Sequence, residues 1–342
     1  MSLLRTIVAT PLSWLYGMVV WVRNTLYSEH LLPSVTVDVP TICVGNLSAG
    51  GAGKTPHVEY LIRLLAPRYK VAVLSRGYKR TTHGFLMADT RATAATIGDE
   101  PMQIHRHFPD IPVAVCTNRI HGIHQLCRMV PDLQVVILDD AFQHRSLRCG
   151  FNMLLTPYHR LYVNDHMLPL GTLRDNVGQS LRAHVVVVTK CPDTMQPIDK
   201  RIVDNALHLP SFQQLFFSRL SYPDIDLPGT PLIVTGIADP LPLITHIQAR
   251  WPQAELLAFP DHHAFSPRDV RRITEQAARF DCVLTTEKDY QRMLLTDLPQ
   301  QLGERLIVLP VCVTVDDADQ LNRQVLRYVS ENVRHQLHNT NS

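Results

Sequence analysis

Residues 41–55 read TICVGNLSAGGAGKT. A β-branched, apolar run breaks into a glycine-rich turn and closes on Gly53-Lys54-Thr55, and the helix-compatible stretch Pro56 to Leu65 follows at once. Strand, glycine turn and helix in that order form a phosphate-binding loop, expected to hold a nucleoside triphosphate with Ser48, Ala49, Gly50, Gly51, Ala52, Gly53, Lys54 and Thr55. Amide N–H groups turned inward by the glycines cradle phosphate oxygens, Lys54 reaches the β and γ phosphates, and the Thr55 hydroxyl is offered to Mg²⁺. The strict pattern G-x-x-x-x-G-K-[ST] has glycine where this chain has Ser48, so a pattern match alone passes over the site. The plainer alternative is an ordinary glycine-rich turn before a helix.

About 85 residues beyond Lys54, the apolar run Val135 to Leu138 ends in Asp139-Asp140. A carboxylate at the end of a buried strand is what a P-loop protein uses to hold Mg²⁺, directly or through water, so Asp139 and Asp140 are the candidate metal residues. Between residues 40 and 190 the runs TICVGN, KVAVLSR, VAVCT, VVILDD, FNMLLT and VVVVTK recur with helix-length spacers and little polar alternation. This is the pattern of buried parallel strands, and the expected fold is α/β, a P-loop NTPase-like doubly wound, mostly parallel sheet. A second series, LFFSRL, PLIVTGIA, AELLAFPD, CVLTTEKD and RLIVLPV, predicts a smaller α/β domain. The expected division is 1–30 an N-terminal membrane-associating helix, 31–215 the P-loop domain, 216–316 the smaller domain, and 317–342 a terminal amphipathic helix and tail.

The chain has 342 residues, 45% of them hydrophobic, which is enough for two cores and excludes a mainly disordered protein. Its net charge of +2 with dispersed basic residues calls for no nucleic-acid partner, and no protein partner is evident. Seven separated cysteines without a C-x-x-C pair read as reduced core residues rather than zinc ligands or disulfides. Thr6 to Val22 carries no charge between Arg5 and Arg23 and includes two tryptophans and a tyrosine. About 17 residues at about 1.5 Å each fall short of a roughly 30 Å hydrocarbon core. An interfacial or membrane-dipping helix, a buried core helix and a signal peptide remain as readings.

The polar stretches SRGYKR (75–80), GDEP (98–101), TNR (117–119), PDHH (260–263) and TTEKD (285–289) follow strands or lie in connections, so they are expected to converge on a cleft between the domains. Singly, each has a bland reading: Arg76 and Lys79 a solvated turn, His262-His263 a surface pair or cap, Lys288 half of a surface ion pair.

Taken together, VGNLSAGGAGKTP, SRGYKR, GDEP, LDDAFQHR, LPLGTLRD, VTKCP, FPDHHAF and TTEKD, in this order over nearly the whole chain, resemble the tetraacyldisaccharide 4′-kinase family. The resemblance implies a P-loop domain, a smaller α/β domain and a reaction in which ATP with Mg²⁺ phosphorylates the 4′-hydroxyl of a tetraacylated glucosamine disaccharide 1-phosphate, a lipid A precursor. It also implies the cytoplasmic face of the bacterial inner membrane, with peripheral or N-terminally anchored attachment and a lipid-linked acceptor at the membrane surface. It assigns the base to Asp99 paired with His262, with Glu100 and Asp140 as competing bases and His263 as the competing histidine. Arg76, Lys79, Arg119 and Arg174 become the candidate acceptor contacts. The chain departs from the family at Asp175, where glutamate is expected, and at Ala238-Asp239, where many relatives have Gly-Asn. The rival is a regulatory or chaperone GTPase, supported by VVVVTKCPD (185–193). There Thr189 replaces the asparagine of N-K-x-D, and Asp193 arrives one residue late.

Overall fold

The structure, a computed structural model, describes residues 3–340, with side chains described for residues 8–334. The outermost residues of the expected terminal segments 1–30 and 317–342, and the side chains of Thr6 and Ile7, lie outside the described residues. The strands in chain order are β1 (Thr41–Asn46), β2 (Val71–Ser75), β3 (Leu86–Met87), β4 (Val113–Val115), β5 (Val135–Asp139), β6 (Phe151–Pro157), β7 (Val185–Thr189), β8 (Gln214–Ser221), β9 (Pro231–Thr235), β10 (Glu255–Ala258), β11 (Cys282–Thr286), β12 (Leu306–Leu309) and β13 (Cys312–Val315).

The chain forms two compact units, and they do not follow the linear division expected from the sequence. The first comprises residues up to Arg76, Cys116–Arg219 and the chain from Thr314; the second comprises Gly77–Val115 and Leu220–Val313. Residues 77–115 join the second unit because the helix Asp99–His107 packs on the helix Glu287–Met293. The run LFFSRL, expected to open the smaller domain, is instead β8 and pairs in parallel with β7 of the first unit.

In the first unit, β8, β7, β6, β1, β5 and β2 lie side by side in that order and all run parallel. Every residue of β1, β2, β5 and β7 is buried, which explains their unbroken apolar sequences. Gly45 is required in β1, since a Cβ there would stand 2.5 Å from that of Phe142. The helix Ala318–Thr340 returns late in the chain to close this core. Its Leu321, Val325, Val329 and Val333 are buried, and the Tyr328 hydroxyl donates to the Thr41 carbonyl at 3.2 Å.

The N-terminal helix Leu3–Ser28 docks through a polar stripe. Ser13 donates to the Met167 carbonyl (2.7 Å), Tyr16 to the Arg174 carbonyl (3.1 Å) and Asn24 Nδ2 to Asp175 Oδ1 (2.6 Å), the last pair buried. The other face leaves Val8, Leu12, Trp14, Leu15, Met18, Val19 and Trp21 exposed. The helix is therefore not a buried core helix, and among the described residues no helix is long and apolar enough to cross a membrane.

In the second unit, β10, β9, β11 and β12 form a parallel sheet, and β3 pairs with β4 antiparallel. One side of the parallel sheet packs Val270, Ile273 and Ala277 of the helix Pro267–Ala277; the other packs Leu243 and Ile247 of the helix Leu241–Arg250.

Candidate active site

The phosphate loop leaves β1 at Asn46 and enters the helix Lys54–Leu65. Gly50 and Gly53 have φ of 103° and 81°, a region where a side chain would be strained, so glycine is needed at both turns. The segment 165–174 straps the loop in place: Ala49 N donates to the Thr172 carbonyl (2.7 Å), and Arg174 N to the Leu47 carbonyl (2.8 Å). From the helix side, His57 is fully buried, with Nδ1 2.7 Å from the Gly53 carbonyl and Nε2 3.1 Å from the Ser218 hydroxyl. Thr189 stands where a guanine-reading asparagine would, and its hydroxyl instead donates to the Ala52 carbonyl at 2.9 Å.

Lys54 Nζ lies 3.4 Å from Asn46 Oδ1 and 3.8 Å from Asp140 Oδ1. Arg174 grips Asp140 with two bonds, of 2.9 and 3.2 Å, and donates to Asn46 Oδ1 at 2.8 Å. Burial alone would raise the Asp140 pKa, but Lys54, Arg174 and Arg119 outweigh it and hold the carboxyl well below the usual carboxylate range. Asp139 is fully buried and accepts from the Ser75 hydroxyl at 2.8 Å; Thr55 is buried at the head of the helix. Thr55, Asp139 and Asp140 are hard oxygen donors, at least one of them held ionised. That set fits Mg²⁺, which takes few protein ligands and completes its shell with phosphate and water. Among the described residues no cluster of three or more His, Cys, Asp or Glu offers an all-protein metal cage.

The four acceptor candidates divide. Arg76 is exposed after β2, close enough to the buried Arg119 and to His144 to lower the pKa of both. Lys79 is exposed, and its Nζ lies 3.3 Å from the His262 carbonyl. Arg174 belongs to the Asp140 cluster of the phosphate loop. Arg119 is only 2% exposed and donates to the carbonyls of Cys116 (2.6 Å), Thr117 (3.4 Å), Asp139 (3.3 Å) and Asp140 (3.4 Å). Its two terminal nitrogens are thus engaged by backbone carbonyls behind the two aspartates, while its buried Nε has no hydrogen-bond partner among the described residues.

A second cluster lies within the second unit. Asp99 opens its helix directly after Gly98, whose φ of 95° and close approach to the Tyr78 carbonyl exclude a side chain. His262 Nδ1 lies 2.9 Å from Asp99 Oδ2, and Arg292 Nε is 3.7 Å from the same oxygen. Burial pushes the Asp99 pKa up, but the bond to His262 and the charges of Lys288 and Arg292 prevail and bring it down to about 2. The competing groups are engaged elsewhere. Glu100 accepts from Lys288 Nζ at 3.1 Å, and His263 Nε2 bonds Asp269 Oδ2 (3.0 Å) at the start of the helix Pro267–Ala277. Arg292 is fixed in turn by Asp289, whose carboxylate also accepts from the Thr235 hydroxyl (2.6 Å) and Gly236 N (3.0 Å).

Sequence reasoning passed over Asn46, Ser75 and Arg292, and weighed Lys288 as half of a surface ion pair against a place among the converging loops. A usable signal was present for two of them. Asn46 is a polar residue at the end of an otherwise apolar buried strand, and Lys288 is a cation in the first turn of a helix, where the dipole disfavours it.

A family model described as tetraacyldisaccharide-1-P 4′-kinase (LpxK) matches residues 5–330. A tetraacyldisaccharide 4′-kinase of Bacteroides thetaiotaomicron is 43% identical, over 95% of this chain and 93% of its own length. One of Flavobacterium johnsoniae is 41% identical, over 97% and 99%. The crystal structure of LpxK from Aquifex aeolicus in complex with ATP matches with a TM-score of 0.72 and 26% identity, covering 94% of this chain and 98% of that one.

Proposed function

This chain belongs to the tetraacyldisaccharide-1-phosphate 4′-kinase family, and on that premise we propose which of its residues carry the reaction. The enzyme is an ATP-dependent kinase of lipid A biosynthesis, a phosphotransferase acting on the 4′-hydroxyl of a tetraacylated glucosamine disaccharide 1-phosphate, with Mg²⁺.

Lys54 binds the β and γ phosphates and neutralises charge as it develops, while Arg174 and Asn46 set the position of Asp140 beside it. Thr55, Asp139 and Asp140 hold Mg²⁺, which when bound screens the phosphate oxygens. Asp99 accepts the proton of the 4′-hydroxyl as the new O–P bond forms, and His262 orients its carboxylate. A carboxyl at about 2 is a weak proton acceptor. That suits a loose phosphoryl transition state, in which the hydroxyl is positioned early and gives up its proton late. Arg76 and Lys79, exposed and cationic, meet the anionic acceptor. The outward face of the N-terminal helix lies at the cytoplasmic surface of the inner membrane, where the acyl chains of the acceptor remain.

The observation that carries the acceptor assignment is the 2.9 Å bond between His262 Nδ1 and Asp99 Oδ2. Mass spectrometry of the acceptor after incubation with ATP and Mg²⁺ should show one added phosphate, and GTP should be the poorer donor. Asp99→Ala should cut kcat with ATP affinity nearly unchanged, and adding His262→Ala should cost little more. Multiplicative losses, or full activity in Asp99→Ala, would reject the pair.

A further inference from the structure

Lys288 is a cation against His262 to which the proposed reaction gives no role. It sits in the first turn of the helix Glu287–Met293, immediately after β11. Its Nζ lies 3.1 Å from Glu100 Oε1, 3.2 Å from His262 Nε2 and 3.8 Å from Asp261 Oδ1. Burial would strip its proton, yet Glu100, Asp99 and Asp261 outweigh burial and raise its pKa, so it remains an ammonium. An ammonium has three hydrogens and no lone pair. His262 Nε2 must therefore accept from it, and the single hydrogen of the neutral ring must sit on Nδ1, pointing at Asp99.

We propose that Lys288, anchored by Glu100, is a positioning residue that locks His262 in its Nδ1–H tautomer. This rests on the assignment of Asp99 as base. When the 4′-hydroxyl attacks, its O–H bond breaks as the O–P bond forms. The proton goes to the Asp99 carboxylate, and the electrons of the old P–O bond leave with ADP. The imidazole donates a hydrogen bond throughout and takes no proton, because Nε2 is already filled.

The groups facing His262 fix where its hydrogen sits. Asp99 lies on Nδ1, and Asp261 Oδ2 is 3.8 Å from Nε2. The edge-on Tyr78 ring at 5.2 Å is neutral, and Lys79 bonds the His262 carbonyl rather than the ring. Lys288 is the cation in direct contact with the imidazole. Without it, Nε2 faces the Asp261 carboxylate, an acceptor that draws the ring hydrogen to Nε2.

The test is histidine NMR of the full-length protein, with the His262 signals assigned by their loss in His262→Gln, alongside kcat and KM. The native enzyme should show the Nδ1–H tautomer of His262. In Lys288→Met that tautomer preference should be lost and kcat should fall, while the KM for ATP should not change. Lys288→Arg, which keeps a donor and no acceptor, should restore the native tautomer. Lys288→Ala also removes the donor, so it should lose the preference even if the methionine variant fails to fold. A loss of activity with an unchanged His262 tautomer would overturn the proposal. Failure of the base assignment looks different: Asp99→Ala would stay active while the NMR tautomer and its dependence on Lys288 persisted.

Discussion

At the scale of single residues, the two ends of the reaction differ in how they were written into the chain. Lys54 was legible from Gly53-Lys54-Thr55 alone, because the helix start, the glycines and the lysine share one physical purpose. Its loss should be costly. Electrostatic stabilisation of a developing phosphate charge contributes several kcal/mol, so Lys54→Ala should lose on the order of a hundredfold or more in turnover while keeping its fold. Near-native activity in a folded variant would remove Lys54 from the transition state. Asp99 and His262 stood out only through the family resemblance, since nothing in GDEP or PDHH says that one carboxylate and one imidazole will meet. The choice of His262 over His263 depends on Asp269 claiming the latter. Arg119 carries a related lesson: a sequence shows an arginine's five donors but not that backbone carbonyls engage both of its terminal nitrogens. Arg119→Ala should therefore lower stability and impair both substrates together. A selective rise in acceptor KM would return it to the acceptor side.

At the scale of elements, the parallel strands and the loop–helix junction were readable from periodicity, whereas the orientation of the first helix was not. The aromatic run Thr6 to Val22 predicts a membrane-facing surface but not the stripe of Ser13, Tyr16 and Asn24 that fastens its other side to the phosphate-loop strap. Deleting the helix would strip Asp175 of its Asn24 partner, so outward substitutions make the cleaner test. Trp14 and Trp21 are 77% and 60% exposed. Trp14→Glu with Trp21→Glu should weaken binding to anionic vesicles at least about tenfold while activity on detergent-dispersed acceptor is kept. Undiminished vesicle binding would place the membrane contact elsewhere. The helix after the phosphate loop makes a second prediction through His57, whose burial outweighs its bond to the Gly53 carbonyl and brings its pKa from 6.5 to about 4. The unfolded chain therefore binds this proton first. Stability is complete above about pH 6.5 and declines as pH falls toward 4, by on the order of 3 kcal/mol for this group. His144, also lowered to about 4, adds to the same slope. Denaturation midpoints at pH 7 and pH 5 should differ less in His57→Gln than in the native protein. An identical difference would show that the buried imidazole does not titrate this way.

At the scale of the whole molecule, fold class followed from the order of strands, but the partition did not. Short pieces such as β3 and β4 carry too little sequence to announce which core they join. The packing of the helix Asp99–His107 on Glu287–Met293, with the bonds of Lys79 and Asp99 to His262, draws residues 77–115 to the second unit. The first unit is thus assembled from three stretches, the last beginning at Thr314. Tyr60 holds Asn322 at 2.7 Å, and Tyr328 reaches back to Thr41, 287 residues earlier. During vectorial synthesis the nucleotide-binding core must then wait, with its central strands made but its closing helix still unborn. The second unit, completed by Val313, is free to fold while the first is still open. Ribosome-stalled chains ending near residue 310 should leave the β1–β7 region open to protease and unable to retain ATP, and release of the full chain should confer both properties together. A half-built α/β core thus stays exposed until the stretch beginning at Thr314 has been made, and the capacity to hold nucleotide arrives only with it.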